Sequence, residues 1–158
     1  MWSRVPVLFV KFRRFWLLPS ADRRLLSRIA LIVPLVEIGL RIMGFKRMLA
    51  WLTTFARTKL TVTTPAAEVE RHRRLLFIFH KELPLASRCL ARALTLWYLL
   101  RRRGITTDLR FGIRKQDGKL LAHAWVEYDG HPLTLDPDIE QLYEPSVGPV
   151  FRNTARAL

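Results

Sequence analysis

Three side chains in the C-terminal half have the types and the order that nucleophilic catalysis requires. Cys89, the only cysteine among the 158 residues, stands near the start of a predicted helix. His123 lies in a predicted strand over residues 119–128, and Asp136 lies in the next predicted strand. A thiolate nucleophile, an imidazole base and a carboxylate that orients the imidazole are the groups that a cysteine hydrolase or acyltransferase needs. The pattern predicts a Cys89-His123-Asp136 triad.

The position of Cys89 favours a reactive thiol. Ser87 is suited to cap the helix that begins at this point and continues to Arg103. A free thiol titrates at about 8.5, and a helix N-terminus with a neighbouring imidazolium lowers this to roughly 3.5–7.5. A single cysteine excludes an intramolecular disulfide and a multi-cysteine zinc site. His72 and His80 lie eight residues apart, too far for a single-turn metal pair, so we expect neither a metal nor a cofactor.

A predicted hairpin brings His123 beside Asp136. Asp129-Gly130 is typical of a two-residue hairpin turn. His123 lies six residues before this turn and Asp136 six residues after it, so the two face each other across the ladder. There the carboxylate can accept the second imidazole N–H and fix the tautomer. Asp138 is an alternative orienting acid in a poorer register.

Each of the three residues also has an ordinary structural interpretation. A lone cysteine on an apolar helix is more often a small hydrophobic residue of the core. A histidine in a strand is often a partly buried polar group, and Asp136 before Pro137 is suited to cap a turn. The three residues together, in this order and on these elements, favour catalysis.

The pattern of apolar residues around the site predicts an α+β fold. Helical periodicity, with Gly44 and Gly104 as helix ends, predicts helices over residues 21–43, 45–55, 66–83 and 89–103. Alternating and β-branched residues predict strands over residues 108–114, 119–128 and 131–136. We expect a helical segment over residues 1–60 and a catalytic domain over residues 66–150, with a linker between them.

The positive charge is concentrated in the first of these segments. Residues 1–60 hold 12 Lys/Arg and 2 Asp/Glu, which is +10 of the net charge of +14. Such an excess attracts nucleic acid, anionic lipid or an acidic peptide without distinguishing them. The longest uncharged run, Met48–Ala56, has nine residues, whereas a spanning helix needs about 20. The sequence therefore predicts a cytoplasmic protein whose residues 1–60 are suited to peripheral contact with a membrane.

The segments around the site resemble a known family. The resemblance rests on Cys89–Leu96 (CLARALTL), Gly104, Ala122–Glu127 (AHAWVE) and Asp129-Gly130. These motifs are similar to those of the transglutaminase-like leader peptidases of lasso-peptide biosynthesis, in the short form without a fused leader-recognition domain. The match covers about residues 70–145, and the basic N-terminal helices resemble that family more loosely.

The resemblance implies a papain/transglutaminase-like core, in which the helix carrying the cysteine packs on a small antiparallel sheet. It implies a protease that removes the leader from a ribosomally made precursor peptide. Cys89 is then the nucleophile, His123 the general base and acid, and Asp136 the orienting acid. The implied partners are the precursor's leader region, a separate leader-recognition protein and an ATP-dependent cyclase. Leu83 and Leu85 occupy the region where papain-like enzymes carry a glutamine, so we expect the Cys89 backbone N–H to bind the oxyanion.

Two further functions stay open from the residues alone. The same triad serves acyl transfer, in which an amine rather than water resolves the thioester. A non-catalytic adaptor would instead use residues 1–60 to bind a membrane or a peptide, and it would not depend on Cys89. Nucleic acid is disfavoured as a partner, because the arginines cluster at helix ends without interleaved aromatic residues.

Overall fold

The computed structural model describes residues 16–56, 62–82, 89–116, 118–133, 144–145 and 151–152. Its elements are α1 (Ser20–Phe55), α2 (Pro65–Glu82), α3 (Cys89–Arg101), β1 (Asp108–Gln116), β2 (Lys119–Tyr128), β3 (His131–Pro132), β4 (Glu144–Pro145) and β5 (Phe151–Arg152). Helices come first and an antiparallel sheet follows, which confirms the predicted α+β class. No helix in the described ranges is both long enough and apolar enough to span a membrane.

α1 consists of two helices that meet at Gly44. This residue has φ 76° and ψ 174° and interrupts the helical conformation. A positive φ is readily adopted by glycine because it lacks a Cβ. The predicted break at Gly44 is confirmed.

α3 ends in a Schellman motif that leads the chain towards β1. The N–H of Gly104 donates to the carbonyl of Arg101 at 2.9 Å, and the N–H of Ile105 donates to the carbonyl of Leu100 at 3.1 Å. Gly104 has φ 72°, the left-handed conformation that this motif requires. The predicted helix end at Gly104 is therefore confirmed.

The sheet has the order β3-β2-β1-β4, and β5 also pairs with β1. All these described pairs are antiparallel, and β1 pairs with β2 along its whole length. The chain turns from β2 to β3 at Asp129 and Gly130, which have φ 52° and 75°. Two consecutive positive φ angles are typical of a type I′ hairpin turn. The predicted two-residue turn is confirmed.

One buried core joins the helices to the sheet, and α3 lies at its centre. Nine of the 13 residues of α3 are buried. The core also contains Ile29 and Leu52 of α1, Leu75 of α2 and Leu109 of β1. The division of the chain into residues 1–60 and 66–150 stays a prediction, and the described part of the first segment contributes to this same core.

A buried histidine lies on α2 beside the end of α3. His72 is 1% exposed, and its Nδ1 lies 2.7 Å from the backbone oxygen of Glu68. The Glu68 carboxylate contacts the guanidinium groups of Arg71 at 3.2 Å and Arg103 at 3.6 Å. Burial lowers the pKa of His72. The hydrogen bond to Glu68 and the charge of its carboxylate raise this pKa, but by less. The structure thus gives His72 a role in packing.

We expect the free energy of unfolding to decrease as the pH falls below about 6.5, the pKa of an exposed histidine. The lowered pKa of His72 means that the folded protein takes up this proton at a lower pH than the unfolded chain does. Between the two pKa values the unfolded chain binds more protons, so acidification favours unfolding by at most about 1.4 kcal/mol per pH unit. Urea titrations across this range measure the slope.

The variant His72→Leu is the critical comparison for this pH dependence. It removes the buried titrating group and is expected to flatten the slope, although His80, whose pKa burial also lowers, still contributes in the same direction. His131→Leu is the matched control, because His131 is exposed on the hairpin. A slope that is the same in His72→Leu and wild type would contradict the assignment.

Candidate active site

Cys89 is the first residue of α3 and is partly exposed. Its Sγ lies 4.0 Å from the carbonyl oxygen of Ala122 in β2. The start of the helix therefore contacts the strand that carries His123. The first N–H groups of a helix have no acceptor within the helix, and its N-terminus favours negative charge. This position suits both a thiolate and the predicted role of the Cys89 N–H as an oxyanion donor.

His123 lies in β2 opposite Gly112 of β1. Its ring stacks near that of Trp125, with centroids 6.4 Å apart and planes inclined by 27°. Trp125 is 3% exposed, and its indole N–H donates to the Glu127 carboxylate at 3.0 Å. Arg110 donates to the other oxygen of this carboxylate at 2.7 Å. These contacts hold the surface on which the His123 ring rests, and His123 and Trp125 share a face as the strand period predicts.

Cys89 and His123 line one cavity of about 260 Å³ between α2, α3 and β2. Its described lining also includes the apolar residues Leu76, Phe77, Ala93, Leu96, Val126 and Leu133. Besides His123, the basic side chains in the described lining are Arg73, His80 and Arg92. The structure thus brings two of the three predicted site residues to one cavity.

Asp136 and its alternative Asp138 lie outside the described residues, as does Ser87, so their roles stay predictions. The described start of the hairpin has the register on which the prediction of Asp136 depends. The N–H of Leu133 donates to the carbonyl of Val126 at 2.7 Å. If this register continued along the hairpin, it would align position 136 with position 123.

The sequence alone did not indicate that Arg73, His80 and Arg92 belong to the site. Arg92 follows Cys89 by one helical turn, so its spacing was a usable signal. Arg73 and His80 belong to α2 and reach the cavity only because α2 packs beside the start of α3. Burial lowers the pKa of His80, and the positive charge of Arg92 lowers it further. No local sequence pattern indicates such a contact between two helices.

The chemistry available to this site comes from the thiol and the imidazole. Over the described residues, no group of three His, Cys, Asp or Glu side chains is arranged to hold a metal ion. A thiol at a helix N-terminus and an imidazole at the same cavity are the reacting groups of nucleophilic acyl chemistry. The arrangement suits attack on a carbonyl carbon and proton transfer to the leaving group.

Comparison with known proteins gives one informative result. The model of the transglutaminase-like superfamily matches residues 32–147. This range extends from α1 through Cys89 and His123 and covers more than half of the chain. Comparisons with curated proteins and with solved structures give no significant match. The helix that begins at Cys89, packed on an antiparallel sheet, agrees with the fold that the family match implies. The chain belongs to the transglutaminase-like superfamily.

Proposed function

We propose that this protein is a cysteine protease that removes the leader from the precursor of a lasso peptide. The observation that carries the proposal is that Cys89, at the start of α3, and His123, on β2, line one cavity. Membership of the transglutaminase-like superfamily supports chemistry of the cysteine peptidase or acyltransferase type. The choice of substrate rests on the resemblance of residues 89–96 and 122–127 to the leader peptidases.

In the proposed reaction, the Cys89 thiolate attacks the carbonyl carbon of the bond between leader and core. The backbone N–H of Cys89 stabilises the oxyanion that forms. The His123 imidazolium then gives its proton to the departing amine, and the leader stays on Sγ as a thioester. His123 next takes a proton from water, whose oxygen attacks the thioester and releases the thiolate. Asp136 accepts the other imidazole N–H and orients the ring.

The proposed partners are the leader region, a separate leader-recognition protein and an ATP-dependent cyclase. The proposed compartment is the cytoplasm, where ribosomal precursors are made and a single thiol stays reduced. Arg24, Arg28, Lys46 and Arg47 are exposed on α1. They give residues 1–60 a surface suited to an acidic region of one of these partners or to an anionic membrane.

Leader release, followed by mass spectrometry, tests the proposal. The protein is mixed with the precursor and the recognition protein encoded beside its gene. We expect wild type to yield free leader and core whose masses sum to that of the precursor plus water. A leader joined to an added amine would instead identify acyl transfer. A complete mixture that releases no leader would contradict the protease.

The variant Asp136→Asn tests the third member of the triad. An amide keeps the shape of the carboxylate but favours the wrong imidazole tautomer, so we expect release to slow by roughly 10²–10⁴-fold. Asp138→Asn is the matched control and is expected to behave as wild type. The opposite result, a slow Asp138→Asn and an unaffected Asp136→Asn, would assign the orienting role to Asp138.

A further inference from the structure

The cavity beside Cys89 and His123 is basic. Its described lining contains Arg73, His80 and Arg92, and no Asp or Glu contributes to this part of the lining. The Arg73 guanidinium is neutralised by Glu70, which accepts two hydrogen bonds from it at 2.8 Å. Burial and the positive charge of Arg92 lower the pKa of His80, which disfavours the charged form of this ring. Of the two guanidinium groups in the described lining, Arg92 is therefore the one without a carboxylate partner among the described residues.

Arg92 is well placed to contact a group bound next to the nucleophile. It follows Cys89 by three residues on α3, so the two side chains share a helix face with Cβ atoms about 5–6 Å apart. Within the described ranges, Arg92 forms no ion pair with a carboxylate, whereas Arg103 and Arg110 each have one. A partly buried guanidinium with free N–H donors binds a carboxylate through two parallel hydrogen bonds.

The apolar part of the lining restricts what can carry this carboxylate. Leu76, Phe77 and Leu96 lie in the same cavity as Arg92. They can cover methylene groups but cannot satisfy polar ones, so a side chain with a short aliphatic stem and a carboxylate tip fits best. An extended peptide advances about 3.3–3.6 Å per residue. A carboxylate held by Arg92 thus belongs to a residue roughly one to three positions from the scissile bond.

We propose that Arg92 binds a carboxylate of the substrate, so that the site selects a peptide with Asp or Glu close to the bond that Cys89 attacks. As a statement about the protease substrate, this inference rests on the proposed function. The carboxylate site itself is a property of the cavity, and it can be measured without any proteolysis.

Alkylation of Cys89 provides this measurement, because the chain contains no other cysteine. The Sγ thiolate attacks the CH₂ carbon of iodoacetate, the C–I bond breaks, and iodide leaves as the thioether forms. Iodoacetamide reacts in the same way but carries a neutral amide in place of the carboxylate. The ratio of the two rates at low ionic strength therefore reports how strongly the cavity attracts a carboxylate.

We expect the ratio of the iodoacetate rate to the iodoacetamide rate to be higher in wild type than for N-acetylcysteine amide in the same buffer. In Arg92→Gln, the ratio is expected to fall about five- to tenfold, as for the loss of one nearby opposite charge. Arg102→Gln is the matched control, since it removes the same charge from an exposed position near the end of α3 and should leave the ratio unchanged.

Two results would overturn the proposal. The first is an equal ratio in wild type and Arg92→Gln with both rates unchanged, which would show that Arg92 does not act on the reagent. The second is an equal ratio with both reagents slowed by the same factor in Arg92→Gln, which would assign Arg92 to activation of the thiol. In a second arm, N-acetylglutamate amide is expected to protect Cys89 from iodoacetamide better than N-acetylglutamine amide, and equal protection would count against an acidic side chain. None of these rates depends on leader release, so failure of the protease proposal would be seen separately.

Discussion

Replacing Cys89 with alanine is expected to reduce leader release by roughly 10³–10⁶-fold, and His123→Ala by a similar factor. The first change removes the atom that forms the thioester, and the second removes the group that carries protons to and from it. Because nucleophile and base act as a unit, the double variant is expected to be no slower than Cys89→Ala alone. Initial rates of leader formation by mass spectrometry measure all three.

His131→Ala is the control for these variants. This histidine lies on the same hairpin as His123 but is exposed at its turn, so its loss should not change the rate. Release that survives Cys89→Ala would refute the triad and turn attention to the basic residues 1–60. Losses that multiply in the double variant would show that Cys89 and His123 act in separate steps.

Replacing Trp97 with alanine is expected to lower the free energy of unfolding by about 3–5 kcal/mol. Trp97 is 2% exposed in the middle of α3, and the Arg101 guanidinium lies 5.4 Å from its ring centroid. The substitution removes apolar contacts and leaves a cavity that the close-packed core cannot fully close. Urea unfolding followed by circular dichroism measures the change.

Trp16→Ala is the matched control, because Trp16 is 60% exposed. It loses a contact with the Arg23 guanidinium, 5.2 Å from its ring centroid, and a cation–π contact at an exposed site is worth about 1 kcal/mol or less. Similar losses for the two tryptophan variants would contradict the central position of α3. A typical domain is stable by about 5–15 kcal/mol, so Trp97→Ala is expected to remove a substantial part of the stability.

The elements of the fold were predictable where the signal is local. The limits predicted for β2, Lys119–Tyr128, agree with the structure, because a turn follows at Asp129-Gly130 and period-two alternation precedes it. Gly44 and Gly104 also marked helix ends correctly, since both adopt positive φ. A residue that must adopt such a backbone conformation is conspicuous in a sequence.

The packing of the helices was not predictable in the same way. The charge of residues 1–60 distinguishes them in the sequence but gave no indication that Ile29 and Leu52 of α1 are fully buried in the common core. Net charge describes the exposed face of a helix and does not show what its apolar face contacts. Such contacts join residues that are distant in the chain, and periodicity within one helix does not encode them.

The candidate site shows the same division between local and tertiary signals. Cys89 and His123 were found from their residue types and elements, and they line one cavity. Arg73 and His80 reach this cavity from α2, through contacts that only the folded chain reveals. Arg92 could have been predicted from the sequence, because it follows Cys89 by three residues on one helix. Asp136 stays a prediction that depends on the hairpin register.

The burial of α3 has a consequence for how the site responds to ligands and to mutation. Cys89 is the first residue of α3, and most residues of α3 lie in the core. A shift of α3 relative to β2 would therefore disrupt that core, whereas a residue on a loop could move without doing so. The backbone positions of Cys89 and His123 are thus fixed by the fold itself, so in the proposed reaction little of the substrate's binding energy is needed to bring these two residues together. A thiol-directed inhibitor thus meets a preorganised target. In the proposed protease, catalytic rate and resistance to unfolding would depend on the same buried contacts, so selection on one would act on the other.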